Sequence, residues 1–197
     1  VTTSTKKQEN LDASSFLISE FDYIAQTAFQ AQEDRARVST FYLVSVGSLV
    51  GAILGTPFQM DAEFPYWIFS IVFSLISAFG LLTILQLIRL RQAWYESARA
   101  MNQIKRFFLT RAEGWEEAFR WRTETLPSSA KAWSISFLLT LQVALLDGVT
   151  VGAAILYAGW SLGVFALNAA ITGGALFFLA QVALFFVLLR KSEREGV

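Results

Sequence analysis

A chain of 197 residues that is 54% hydrophobic, with much of its Phe, Leu and Ala gathered in long blocks, is not an ordinary soluble domain. Cysteine and histidine are both absent, which excludes disulfides, thiolate metal sites and cysteine nucleophiles and removes the usual haem ligand and the most frequent acid–base group near neutral pH. Sixteen Lys and Arg balance sixteen Asp and Glu, so net charge argues for no nucleic acid or other acidic partner, and the placement of the charges carries the information instead.

Residues 1–37 are polar overall. The opening TTSTKKQEN has no apolar core of a secretory signal, so the first span is expected to direct its own insertion. Leu17, Phe21, Ile24, Ala28 and Ala31 recur at helical spacing and predict an amphipathic helix. The first apolar block covers about 38–55 and is the shortest. Thr40, Phe41 and Tyr42 are expected to extend it toward the membrane interface, where Tyr and Trp are favoured. Gly47, Gly51 and Gly55, four residues apart, make a smooth strip suited to close helix packing.

After the loop TPFQMDAEFP comes a second span at about 66–88, closing hairpin 1 over 38–88. Phe69, Phe73 and Phe79 give it bulk, Ser70, Ser74 and Ser77 a partly polar side, and much of its girth is expected to meet lipid. No breaker separates it from 89–130, where Trp94, Ala98, Met101, Ile104, Phe108, Ala112, Trp115 and Phe119 mark one apolar helical face. Gly114 is expected to bend this helix and Leu126-Pro127 to end it, with Ser128 or Ser129 capping the next. Trp94, Phe108, Trp115 and Phe119 are candidate interface residues, and the face has three candidate partners: the N-terminal helix, another subunit or the lipid surface. EAFRWRTET interleaves Arg with aromatic residues as an RNA-stacking surface would, but Glu113, Glu116, Glu117 and Glu124 cancel the field a phosphate backbone requires.

Hairpin 2 covers 131–190, with spans at about 132–158 and 165–189 joined by GWSLG, and a tail at 191–197. Splitting the third block at Asp147-Gly148 would give five spans and carry the basic RKSERE to the opposite face. With four spans all sixteen basic residues share one face, so the positive-inside rule predicts both termini in the cytoplasm of a plasma (inner) membrane protein. Ala144, Gly148 and Gly152 in span three, and Ala170 and Gly174 in span four, are further close-packing positions.

Asp147 is the one carboxylate inside a span, and no basic residue lies in any span to pair with it. Near the midplane the expected state is the neutral acid, donating one hydrogen bond to the Val143 carbonyl, to Thr172 or a carbonyl beside Gly173-Gly174, or to Ser45 or Ser48. Thr140 and Thr150 extend a polar track on its side of the helix, with Gln181 available from span four. Two roles stay open: a structural hydrogen bond that fixes helix register, and a proton or ion site.

No phosphate-binding glycine loop, dinucleotide fingerprint or metal-protease motif occurs, and intramembrane aspartate chemistry needs two aspartates. No catalytic, cofactor or metal residues are assigned. The expected protein is all-α, with four transmembrane helices in two hairpins plus amphipathic cytoplasmic helices. Its expected partners are the lipid bilayer and either further copies of itself or a larger membrane complex. The alternatives are a small oligomeric channel using Asp147 and a cytoplasmic ligand sensor over 89–126.

Overall fold

A computed structural model describes residues 2–55, 66–110, 122 and 125–195; side chains are described from residue 15 onward, excepting 54, 55 and 195. The chain is all-α, with four long helices, α1 Thr2–Gly55, α2 Tyr66–Leu109, α3 Ile135–Ser161 and α4 Leu167–Glu195. Each is long and apolar enough to cross a membrane, and the protein is a multi-pass membrane protein of four spans.

The residues divide into two compact units, Val1–Asp34 with Leu90–Ser129, and Arg35–Arg89 with Ala130–Val197. In the first, the face anticipated from Leu17, Phe21, Ile24, Ala28 and Ala31 is the inward one, with Ala28 and Ala31 buried. The inward face of α2 is rotated from the expected one. Tyr95, Ser97, Ala98 and Asn102 are buried, whereas Trp94 is half-buried and Phe108 is exposed. Two of the polar groups there are locally satisfied: Ser97 donates to the Ala93 carbonyl at 3.0 Å, and the Arg91 Nε donates to the Ser129 carbonyl at 3.2 Å, whereas the enclosed Asn102 Nδ2 has no partner among the described residues. Arg91 also stacks over Trp94 at 4.6 Å, and Lys105 over Phe21 at 5.9 Å. Gly114, Trp115 and Phe119 lie outside the described residues.

The second unit holds the four apolar segments around one core that includes Tyr42, Ile84, Leu87, Val143, Phe185 and Leu189. Between Leu126 and Ser134 the chain is not helical, so neither Ser128 nor Ser129 caps α3. The cap is Ser134, whose Oγ accepts from the Phe137 amide at 3.2 Å. Ser129 instead has its carbonyl held by Arg91. At the other end Gly163 adopts φ 72°, and the Val164 amide bonds back to the Gly159 carbonyl at 2.9 Å. A left-handed residue after the helix is what GWSLG supplies, and it turns the chain sharply into α4.

Small residues let α3 and α4 approach through their backbones. A Cβ added at Gly148 would lie 2.9 Å from the Gly174 carbonyl oxygen, one at Gly152 3.1 Å from that of Ala170, and one at Gly174 would run into the Gly148 oxygen. Three of the packing residues expected in this hairpin, with Ala170 and Ala144 buried beside them, therefore serve contact within the chain. Gly47 and Gly51 do not: among the described residues nothing lies within 4 Å of a Cβ added at either.

Candidate functional site

Asp147 sits near the middle of α3 with 0% of its surface exposed. Each helix supplies one part of its surroundings. From α1 the Tyr42 hydroxyl donates to Oδ1 at 2.9 Å, and from α4 the Gln181 Nε2 donates to Oδ2 at 2.5 Å. From α2 comes Gly80, whose missing side chain makes the room: a Cβ there would coincide with the carboxylate. The carboxyl group thus fills a pocket at the point where four helices meet, with two neutral donors as its side-chain partners among the described residues.

The partners differ from those expected. Thr172, Ser45 and Ser48 all lie on exposed faces, so none reaches the acid. Tyr42 reads in sequence as an interfacial anchor at the end of an apolar block. In the structure α1 runs unbroken through that position, and Tyr42 is fully buried and stacks on Phe79, with ring centroids 6.2 Å apart. Gly80 has no small neighbour four residues away and so escapes a search for paired small residues. Its signal is an isolated glycine in an otherwise bulky helical run, a residue retained at a cost in helix propensity.

Thr140 and Thr150 both face inward with Asp147. Thr150 donates to the Asp147 carbonyl at 2.9 Å and lies 2.8 Å from the Ser77 hydroxyl, while Ser70 donates across to the Ala154 carbonyl at 2.9 Å. Ser70 and Ser77 of span two therefore face α3, whereas Ser74 is exposed and donates to the Ser70 carbonyl at 2.8 Å. Thr140 donates to the Ser136 carbonyl at 3.0 Å. Two enclosed atoms near this track lack a partner among the described residues, Ser136 Oγ and Gln181 Oε1.

Beyond Ser70 the bundle closes with aromatic rings. Tyr157 stacks on Phe73 at 5.7 Å and on Phe69 at 5.3 Å, and Trp160 packs edge-on against Tyr157 at 5.2 Å and Tyr66 at 5.6 Å. On the outer side of the α3–α4 seam lies an apolar groove of about 460 Å³ floored by Gly148, Gly152, Ala170 and Gly174. Among the described residues no group of three or more Asp and Glu is placed to hold a metal ion.

Replacing Tyr42 by Phe removes one donor and little volume. Intramembrane hydrogen bonds average about 0.6 kcal/mol and reach roughly 1.7 kcal/mol, so Tyr42→Phe is expected to destabilise the bundle by that much. Unfolding in mixed detergent micelles, followed by Trp fluorescence, measures it.

Fold and site together define a four-span helical membrane protein with a buried polar centre. The chain matches no protein-family model, no curated protein and no solved structure.

Proposed function

We propose that this is a non-enzymatic integral membrane protein that works by contact, as an oligomer-forming scaffold or as an accessory subunit of a larger membrane assembly. The observation that carries this reading is the outward strip on α1. Among the described residues nothing lies within 4 Å of a Cβ added at Gly47 or Gly51, and Phe41 and Val44 beside them are 65% and 61% exposed. Glycines at 80, 148, 152 and 174 admit atoms of the same chain, whereas this pair leaves a smooth apolar surface against which another helix can pack closely.

Charge placement supports an orientation with both termini in the cytoplasm of the plasma (inner) membrane: with four crossings every Lys and Arg falls on one face. The enclosure of Asp147 favours contact over an oligomeric pore, because a carboxylate that lines an axis between copies must face out of its own bundle.

Gly47→Leu with Gly51→Leu tests the reading. The double variant is expected to lose its association, seen as a smaller particle or a missing co-purifying subunit after mild detergent extraction, while its unfolding midpoint stays near that of the parent. A particle of unchanged size and composition removes the α1 strip as the contact surface. A flux of ions through liposomes that disappears in Asp147→Asn favours the channel alternative instead.

A further inference from the structure

The polar interior is asymmetric about Asp147. Toward the C-terminal end of α3, each hydroxyl already has a protein partner: Thr150 the Asp147 carbonyl, Ser77 the Phe73 carbonyl and Ser70 the Ala154 carbonyl, with the aromatic cluster around Tyr157 beyond them. Toward the N-terminal end, Ser136 and Thr140 lie on the same side of α3 as Asp147, at helical intervals of four and seven residues. Here Thr140 too has a partner, the Ser136 carbonyl, but hydrogen-bonding capacity is unused at Ser136 Oγ and at Gln181 Oε1, and both residues are 1% exposed. An enclosed polar atom without a partner costs about 1–3 kcal/mol, and buried water is the usual remedy where two or more polar atoms can hold it.

We propose that Asp147 exchanges a proton with one side of the membrane only, the side at the N-terminus of α3, along water held by Ser136, Thr140 and Gln181. Ser136 lies in the first turn of α3, three residues after the exposed Trp133 and five after the exposed Lys131, so its buried hydroxyl is within about one helical turn of that end of the helix. A hydronium ion at that side gives up its proton along hydroxyl and water oxygens. The proton ends on a carboxylate oxygen, which converts the carboxylate to the acid, and it leaves by the same route. No charge crosses, because among the described residues no enclosed side-chain polar atom in the other half of the interior lacks a partner before the aromatic rings.

The groups that face the carboxyl limit what else can titrate with it. Among the described residues Tyr42 of α1 is the other titratable group in contact; α2 presents Gly80, and α4 presents the neutral amide of Gln181. Protonation of Asp147 changes what its two donors bond to, and so links the packing of α1 and α4 to the proton concentration on one side. This does not depend on the contact function proposed above and can fail separately from it.

The absence of cysteine makes the test direct. Single thiols are placed by Ser136→Cys and Thr140→Cys on the open half and by Ser77→Cys on the closed half, with Lys131→Cys and Ser161→Cys marking the two ends of α3. In sealed liposomes a small impermeant thiosulfonate is applied to one side or the other. The expected result is modification at 136 and 140 only from the side that modifies 131, and none at 77 from either side. Positions 136 and 140 that react from neither side, yet react after SDS unfolding, overturn the proposal, as does reaction at 77 from the side that modifies 161. The unsubstituted protein gives a second reading. Its neutral-carboxyl infrared band, identified by its loss in Asp147→Asn, should follow pH on the 131 side and ignore pH on the 161 side; a band indifferent to both pH values overturns the proposal equally.

Discussion

Gly80→Ala is expected to destabilise the bundle although it adds one methyl group and improves helix propensity. The new Cβ falls on the Asp147 carboxylate, so the carboxyl group must rotate away from Tyr42 and Gln181, or α2 must move off α3. Overpacking of this kind costs about 1–3 kcal/mol, and two weakened intramembrane hydrogen bonds add roughly 0.6 kcal/mol each. The gain from replacing a mid-helix glycine with alanine is at most about 1 kcal/mol, so the net loss should be near 2 kcal/mol.

The cause is separable from a general intolerance of side chains at position 80. In an Asp147→Ala background the obstructing atoms are gone, and Gly80→Ala should then be neutral or stabilising by up to about 1 kcal/mol. The parent and the Asp147→Ala background thus give opposite signs for the same substitution. A double-mutant cycle measured by unfolding in mixed micelles reads this directly. Equal destabilisation in the two backgrounds would mean that Gly80 serves some contact other than the carboxyl pocket.

Gly80 and Tyr42 show where legibility in the sequence stops. The four spans could be read because a hydrocarbon core about 30 Å thick demands roughly 20 apolar residues per helix, a requirement that short polar interruptions cannot disguise. Asp147 could be read as the sole carboxylate among them. Its environment could not, because a tyrosine at the end of an apolar block satisfies two physical roles, anchoring at the interface and donating a buried hydrogen bond, and only the register of α1 against α3 separates them. The part of α2 that turns inward in the first unit was hidden for a related reason. Trp94, Met101 and Phe108 are the larger apolar groups, but Tyr95, Ala98 and Asn102 are the ones enclosed, since a tight contact favours groups that fit over groups that are most apolar.

Small residues repeat the lesson in a form that predicts. Gly47, Gly51 and Gly55 match the close-packing pattern with regular four-residue spacing, yet the first two meet no atom of the described residues. Spacing reports that a strip is smooth; it does not report whether a partner from the same chain lies on it. Gly148 and Gly174 match the pattern no better and yet bring two backbones together, each with its Cα directed at the other's carbonyl oxygen. Contacts of that type have the character of weak Cα–H···O hydrogen bonds, worth about 0.5–1 kcal/mol each.

Gly174→Val is therefore expected to be the most damaging single substitution in hairpin 2. The atom it strikes is the Gly148 carbonyl oxygen, which belongs to a helix backbone and has no rotamer to escape into, so α3 and α4 must separate along their seam. Separation would also undo the approach of Gly152 to Ala170 one turn away, and the loss should reach about 3 kcal/mol or more. The neighbouring residue supplies the control. A Cβ at Gly173 meets the Cδ1 of Ile155, the far end of a flexible side chain, so Gly173→Ala should cost well under about 1 kcal/mol. Gly174→Ala, the same chemical change one residue along the same helix, should cost several times as much because its obstacle is main chain. Unfolding of the three variants in mixed micelles gives the order Gly174→Val, Gly174→Ala, Gly173→Ala from most to least destabilised. If Gly173→Ala and Gly174→Ala prove equal, the two helices are held together by their side chains rather than by backbone approach, and the Gly148–Gly174 contact is not what sets their separation.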